Sequence, residues 1–202
     1  MKTKRMVVFA SGNGTNFHNI ALYFVDKKHI QIALLIGNKP DAYVFERAKQ
    51  WHIPSLLIDR ESFYQTNKIL NVLKEINPDL IVLSGFLWLI PENIVEQFPN
   101  RIINIHPALL PAYGGKGMYG EAVHKAVINN HDTESGITVH YVNNSYDKGD
   151  VIFQARCKVD PSDTPELLAE KVHALEYQHY PRIIEDVVTK LPDFLIESSE
   201  KA

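Results

Sequence analysis

The sequence has few of the features that mark secreted, membrane-bound or zinc-binding proteins. Its 202 residues contain a single cysteine, Cys157, which excludes an internal disulfide and a cysteine-rich zinc site. No apolar run approaches the roughly 18 residues that a membrane-spanning helix needs. The basic start, residues 1–5, is followed by a short apolar run at 6–10 that meets a glycine-rich turn, whereas a signal peptide needs a longer run. We therefore expect a cytoplasmic protein without a membrane segment.

Positive charge is also scarce. The chain has 21 Lys and Arg against 24 Asp and Glu, for a net charge of −3 at pH 7. Because proteins held by nucleic-acid phosphates need a basic surface, we expect small-molecule partners and no nucleic acid. The nine histidines are scattered, and His173 and His179 do not share a helix face. We expect no metal site, and the sequence leaves a monomer and a homodimer equally open.

What the sequence does contain is an alternation of short apolar runs with stretches of helical period. Residues 6–10, 31–36, 55–58, 80–83 and 101–105 are typical of strands, whereas helical patterns cover 16–26, 41–50, 60–77, a stretch from 91, and 121–130. Such an order predicts an α/β fold, a single-domain open and mostly parallel twisted sheet with helices on both faces, Rossmann-like in kind. Asp41 is the predicted cap of its helix.

After residue 130 the sequence pattern changes from alternating strands and helices to consecutive strands. Residues 137–142 and 151–157 are two strand-like runs joined by a loop, which predicts an antiparallel hairpin. Pro165 then opens a last helix, and residues 197–202 form a polar tail. The predicted fold thus ends in a hairpin and a helix.

The first motif is the loop Ser11-Gly12-Asn13-Gly14-Thr15-Asn16 between the first strand and the first helix. Glycines let the backbone come close to a ligand, and a helix N-terminus offers free N–H groups to an anion. The loop lacks the third glycine of the dinucleotide fingerprint, since Phe17 stands there. It therefore favours one terminal phosphate over a dinucleotide. The alternative is a tight turn with Asn16 as the helix cap.

The second motif is Asn104-Ile105-His106-Pro107 at the end of a strand. Residues i and i+2 of a strand project to one face, so Asn104 and His106 should point the same way. An amide and a protonated imidazole can together hold a carbonyl oxygen that becomes negative. The alternative is a structural histidine at the end of a strand.

The third motif is the hairpin loop at 143–150, which is longer than a hairpin requires. Its Asp147 could accept a hydrogen bond from an imidazole and favour the charged form of that ring. The alternative is turn chemistry alone. The glycine-rich stretch at 114–118 is either a closing flap or an exposed linker, and it is not a P-loop.

Together these segments resemble the folate-dependent formyltransferases, over about residues 5–190. The string Asn-Ile-His-Pro-Ala-Leu-Leu-Pro at 104–111 marks that superfamily, and the opening loop is similar to that of the branch acting on glycinamide ribonucleotide. The resemblance implies transfer of a formyl group from the cosubstrate 10-formyltetrahydrofolate to the amine of this ribonucleotide, in de novo purine synthesis. It implies Asn104, protonated His106 and Asp147 as the catalytic residues, with Asp147 supporting His106 and proton transfer.

The resemblance also implies two binding regions. The first half of the chain, about 1–100, would serve the phosphate and ribonucleotide, and 101–190 would serve catalysis and folate. The ribonucleotide residues would be Gly14, Thr15, Asn16 and Glu176. The folate residues would be Arg60, Leu87, Trp88, Leu89, Ile90, Asn104, Asn143, Asn144, Ser145, Tyr146 and Asp147.

Two alternatives stay open at this point. One is another folate-dependent formyltransferase or a formyltetrahydrofolate hydrolase. A transfer-RNA formyltransferase would be expected to carry a C-terminal domain and a basic surface, and the hydrolase an N-terminal regulatory domain. The other alternative, less favoured, is a dinucleotide-binding Rossmann module, which predicts no role for Asp147.

Overall fold

A computed structural model describes residues 2–193, so the predicted polar tail at 197–202 lies outside the described residues. A seven-stranded sheet forms the centre of the protein. Its strands are β1 (Lys4–Ala10), β2 (Ile30–Gly37), β3 (Ser55–Leu57), β4 (Leu80–Leu83), β5 (Ile102–His106), β6 (Glu134–Tyr141) and β7 (Val151–Lys158). They lie in the order β3-β2-β1-β4-β5-β6-β7.

Seven helices are described along the same residues. They are α1 (Thr15–Phe24), α2 (Val44–Gln50), α3 (Arg60–Tyr64), α4 (Lys68–Ile76), α5 (Glu92–Gln97), α6 (Glu121–Asn129) and α7 (Pro165–Lys190). Thr164 caps α7, where its side chain accepts a hydrogen bond from the Leu167 N–H.

Two details of the predicted helices are wrong. Asp41 does not cap α2, because residues 39–42 form a turn closed by the Ala42 N–H on the Lys39 carbonyl, and the helix starts only at Val44. The helix predicted over 60–77 is divided into α3 and α4, since Thr66 accepts a hydrogen bond from the Lys68 N–H and begins a new turn.

The predicted sheet is confirmed. β1 to β5 pair in parallel, and β6 is antiparallel to both β5 and β7, as the hairpin pattern indicated. Helices cover both faces of the sheet: α1, α6 and α7 pack on one core cluster and α3, α4 and α5 on the other. Leu80–Leu83, which is apolar throughout, is buried on both faces, as expected of a central parallel strand.

The order of the strands decides where a ligand can bind. The chain runs outward from β1 through β2 to β3 and then returns to the other side of β1 as β4. In such sheets a crevice opens at the carboxyl ends of the two strands where the order reverses. Ser11 joins these ends, since its N–H donates to the Gly85 carbonyl (3.1 Å) and its hydroxyl accepts from the Leu87 N–H (3.0 Å).

Candidate active site

A cavity of about 960 Å³ opens at this crevice and extends along the carboxyl ends of β1, β4 and β5. All three sequence motifs reach it: the loop that follows β1, the end of β5, and the loop between β6 and β7. The residues it collects from them include Gly14, Thr15, Asn16, Asn104, His106 and Asp147. The folding of the chain therefore brings together segments separated by more than a hundred positions in the sequence.

The glycine loop at 12–14 is shaped by backbone constraints and held by a neighbouring helix. Gly14 precedes α1 with φ +74°, a left-handed conformation that favours glycine. From α2, Arg47 donates through Nε to the Asn13 carbonyl (2.8 Å), and the Gly12 carbonyl accepts from the Val44 N–H. The first N–H groups of α1 thus stay available to an anion in the cavity.

Asn16 does not cap the first helix, so that part of the alternative interpretation is wrong. Gly14 is the residue that precedes the helix, and no side chain caps α1. Asn16 instead donates through Nδ2 to Glu176 Oε2 at 2.8 Å. Phe17, which stands where a dinucleotide site needs its third glycine, is fully buried and fills that space.

We predict that Gly14→Ala weakens binding of a phosphate-bearing substrate at this loop, with its KM raised about tenfold or more and the KM of the second substrate unchanged. A Cβ on Gly14 would lie 2.3 Å from Val44 Cγ2, in a backbone conformation that alanine resists. Gly12→Ala is the matched control, because a Cβ there meets nothing within 4 Å. Steady-state kinetics of both variants test this, and equal KM values would contradict it.

Glu176 projects from α7 into the cavity beside the glycine loop. It is 4% exposed, and its Oε2 accepts hydrogen bonds from Asn16 and from His173 Nδ1 (2.8 Å each). The hydrogen bond to Glu176 raises the pKa of His173, against the opposing effect of burial. A buried carboxylate next to the phosphate loop can accept from the hydroxyls of a sugar.

The predicted catalytic residues lie together at the end of β5. Asn104 and His106 share one face of the strand, and the Ile105 side chain between them packs in the core cluster. His106 is 3% exposed, and its Nδ1 lies 3.6 Å from Asp147 Oδ2. Asp147 Oδ2 also accepts from the Gly115 N–H at 2.9 Å. An amide, an imidazole and a carboxylate therefore meet within one small region of the cavity.

Burial and neighbouring charges shift the pKa values of His106 and Asp147 in opposite senses. Burial lowers the pKa of His106, and the Asp147 carboxylate and the Tyr113 carbonyl offset that effect only in part. Burial works to raise the pKa of Asp147, but hydrogen bonds from His140 and Gly115 and the charge of His106 keep it below its ordinary value. Asp147 thus acts on the pKa of His106 with the predicted sign, while burial favours the neutral imidazole.

Sequence reasoning missed His140, a second buried imidazole in the same cluster. It lies opposite Asn104 in the β5–β6 register, and its Nε2 is 3.2 Å from Asn104 Nδ2 and 3.5 Å from Asp147 Oδ1. Its Nδ1–H donates to the Tyr141 carbonyl (2.8 Å). The signal available was the antiparallel hairpin, because correct pairing of β6 with β5 places His140 beside Asn104.

The predicted apolar region beside these polar groups is present. Leu87, Trp88, Leu89 and Ile90, which follow β4, all line the cavity. Trp88 packs against Phe63, Tyr64 and Phe86, with ring centres about 6 Å apart. Ser145 and Tyr146 line the cavity from the hairpin loop. Such a wall suits a flat aromatic ligand held next to the polar cluster.

Three of the predicted folate residues do not line this cavity. Asn144 donates to Glu92 Oε1 (2.9 Å), and the Asn143 side chain accepts from the Ser145 N–H, so both amides serve the loop. Arg60 lies over the Trp88 ring, 5.0 Å from the ring centre, and lines a separate cavity of about 440 Å³.

The glycine-rich stretch at 114–118, for which the sequence allows a flap or a linker, contributes to the site through residues 115–118. Gly115, Lys116, Gly117 and Met118 line the cavity, and the Gly115 N–H holds the Asp147 carboxylate. Gly114 passes so close to Leu110 and Asp147 that a Cβ there would lie 2.7 Å from Leu110 Cδ2.

A further residue missed by sequence reasoning is His124 of α6. It is buried in the lining of the cavity, and its Nδ1 has no hydrogen-bond partner.

Within residues 2–193, no group of three or more potential ligand side chains is arranged to hold a metal ion. No helix in this part of the chain combines the length and the apolar character needed to cross a membrane.

The fold is that of an α/β enzyme with a cavity at the carboxyl ends of a parallel sheet, where a glycine loop opens into the same space as an amide–imidazole–carboxylate cluster. The family profile described as formyl transferase matches residues 4–184. The chain therefore belongs to the formyl transferase family.

Individual relatives agree with this assignment. The chain is 39% identical over 189 residues to the chloroplastic phosphoribosylglycinamide formyltransferase of Arabidopsis thaliana, covering 91% of this chain and 65% of that protein. It is 36% identical over 190 residues to the phosphoribosylglycinamide formyltransferase of Bacillus subtilis, covering 92% of this chain and 95% of the relative. The chain thus spans about two thirds of the plant protein and nearly all of the bacterial one.

Solved structures show the same likeness. The crystal structure of phosphoribosylglycinamide formyltransferase from Anaplasma phagocytophilum superposes with a TM-score of 0.85 at 31% identity, covering 94% of this chain and 88% of that one. The enzyme from Bacillus halodurans gives a TM-score of 0.83 at 33% identity, with coverage of 93% and 96%. The sheet order and the helices on both faces are therefore those of this family.

Proposed function

We propose that this protein transfers a formyl group from 10-formyltetrahydrofolate to the amine of glycinamide ribonucleotide, as the names of its relatives indicate for those proteins. The observation that carries the proposal is the geometry of one cavity. A glycine loop at a helix N-terminus, suited to a phosphate, opens into the same space as Asn104, His106 and Asp147.

The chemistry follows from what these side chains can donate and accept. The amine nitrogen attacks the formyl carbon, the carbonyl oxygen becomes negative, and the bond between that carbon and N10 of the folate then breaks. The amide of Asn104, which lines the cavity, can donate an N–H to this oxygen, and His106 supplies positive charge once it is protonated. As the oxygen becomes negative it favours the imidazolium, which compensates for the burial that lowers the pKa of His106.

Asp147 is suited to handle the proton that the reaction releases. The attacking amine loses a proton and the leaving nitrogen gains one, so a group near both must relay it. Asp147 stays ionised because its pKa is held below the ordinary value, and a water molecule between it and the amine would complete the path. Binding both substrates in one cavity also removes the entropy cost of their encounter.

In this proposal the ribonucleotide occupies the cavity from the glycine loop, with its phosphate at Gly14, Thr15 and Asn16, to Glu176, which accepts from the sugar. The pteridine of the folate lies on the wall formed by Leu87, Trp88, Leu89 and Ile90. Glu176 of the second half of the chain accepts from Asn16 of the first, so the ribonucleotide contacts both halves in this proposal. We further propose a cytoplasmic protein, monomeric or homodimeric, with small molecules alone as partners; its single cysteine suits a reducing compartment.

A formyl-transfer assay with several acceptors tests the proposal. The purified protein is mixed with 10-formyltetrahydrofolate and glycinamide ribonucleotide, an amino sugar nucleotide, methionyl-tRNA or no acceptor, and the products are measured by mass spectrometry. We expect formylation of glycinamide ribonucleotide and only background release of tetrahydrofolate without an acceptor. Equal release without an acceptor would instead indicate a hydrolase, and formylation of another amine a different transferase.

A further inference from the structure

Tyr113 contacts the proposed active site through its backbone, while its side chain is fixed elsewhere. Its carbonyl accepts a hydrogen bond from His106 Nε2–H at 2.7 Å. Its phenol donates to Asp132 Oδ2 (2.5 Å) and accepts from Asn130 Nδ2 (2.8 Å), both in the loop after α6. One residue therefore connects the imidazole to a loop outside the cavity.

The backbone of Tyr113 needs this anchorage. Its φ is +55°, a left-handed conformation that is uncommon for an aromatic residue and persists only where the surroundings fix it. The residues that follow are held on the active-site side, since Gly114 packs against Leu110 and the Gly115 N–H donates to Asp147. The Tyr113 ring packs against the core cluster, and the two hydrogen bonds of the phenol fix its polar end.

The direction of the Tyr113 carbonyl determines the orientation of the His106 ring and which ring nitrogen carries the proton. A carbonyl only accepts, so the ring carries its proton on Nε2, and Nδ1 is then turned toward Asp147 Oδ2. Both ring nitrogens face acceptors, an arrangement that is fully satisfied only when both carry a proton. Without the carbonyl the ring could rotate or change tautomer, and Asp147 would lose its defined partner.

We propose that Tyr113 is a positioning residue, which uses its anchored phenol to hold its own carbonyl against His106 and so fixes the ring orientation and the proton on Nε2. The effect on catalysis rests on the proposed function, since it acts through the imidazole assigned to the oxyanion. The effect on His106 itself does not depend on which reaction the protein catalyses.

Other charged groups near His106 must be considered in any test by pH. Asp147 and Glu176 favour the imidazolium, whereas burial and the charge of His140 oppose it. Burial and the charges of His173 and His106 lower the pKa of His124 of α6, so the rings of His106 and His124 must be observed separately. None of these groups is altered by removing the Tyr113 hydroxyl.

The test is Tyr113→Phe, which removes the anchor and keeps the ring. We expect the pKa of His106, measured by NMR titration of the histidine side chains, to fall, because the carbonyl that favours its charged form is released. In the transfer assay kcat should drop roughly tenfold with both KM values unchanged, since misplacement of a reacting group affects chemistry more than binding. Tyr23→Phe is the matched control, because that phenol also donates to a carboxylate, Glu185, at 2.6 Å, away from the cavity.

A second pair of variants distinguishes loss of the phenol anchor from a general loss of folding. Asp132→Ala removes the same anchor from the other side, whereas Asp132→Asn keeps an acceptor and should restore both the titration and kcat. An unchanged His106 titration and kcat in Tyr113→Phe and Asp132→Ala would overturn the inference. A shifted titration in a protein whose wild type formylates no glycinamide ribonucleotide would refute the proposed function and leave the positioning role standing.

Discussion

Replacement of Asp147 by asparagine should lower kcat for formyl transfer by about 10²–10³-fold and leave the fold intact. Asparagine has the same shape, but it lacks the charge that favours protonated His106 and cannot take up the proton of the amine. It also suits the backbone, because Asp147 has φ +54°, a conformation in which Asn and Asp are the best-tolerated non-glycine residues. Its amide oxygen can still accept from the Gly115 N–H.

The pH dependence of this variant has a defined sign. The Asp147 carboxylate raises the pKa of His106, so its removal lowers that pKa further. The part of the pH–rate profile that reports His106 should therefore move to lower pH. Asp150→Asn makes the same chemical change at an exposed position of the same loop and should change neither kcat nor the profile. Near-normal turnover of Asp147→Asn would remove this residue from the chemistry.

Asn104→Ala should have an effect of similar size, a fall in kcat of about 10²–10³-fold, since one donor to the oxyanion is lost. The KM of each substrate should change little, because the hydrogen bond strengthens only as the oxygen becomes negative. Asn104→Asp should be at least as inactive: it places a carboxylate next to His140 and directs negative charge at the developing oxyanion.

Asn144→Ala is the matched control for the amide. Asn144 belongs to the loop that carries Asp147, but its side chain is exposed and bonds to Glu92. It should retain nearly normal turnover in the same stopped-flow or steady-state assay. If Asn104→Ala raised KM and spared kcat, Asn104 would be a ground-state binding residue and the oxyanion role would be wrong.

The sequence predicted best those features that depend on local periodicity. The alternation of apolar runs with helical patterns indicated the parallel sheet. The uninterrupted apolar run at 80–83 indicated a strand covered on both faces. Asn104 and His106 could be placed on one face because the strand period is two. Two motifs at strand ends also indicated a ligand site at the carboxyl ends of the strands, whereas the strand order that places the cavity came from the structure.

The features that sequence reasoning missed depend on pairing between distant segments. His140 enters the site only through the register of β6 on β5, which a periodic pattern does not specify. Arg60 carries a guanidinium that could bind an anionic ligand, but α3 places it over the Trp88 ring and outside the large cavity. The break between α3 and α4 depends on side-chain hydrogen bonds of Thr66, which compete with the helix at short range.

Tyr113 illustrates the same limit at the level of a single residue. In the sequence it precedes a glycine-rich stretch and suggests a flexible loop, with no sign of a contact to His106. Its role emerges from a left-handed backbone and from two partners beyond α6. Such supporting contacts are set by tertiary structure, because the residues that orient a catalytic group need not be near it in the chain.

The single-turnover rate of the double variant Asn104→Ala/Asp147→Asn, compared with each single variant, tests the central claim most directly. Groups that act as one unit around one oxygen lose most of their effect with the first substitution. We predict that the double variant transfers the formyl group within about tenfold of the slower single variant. Losses that multiply fully would show that the amide and the carboxylate act independently, and would contradict a shared oxyanion site.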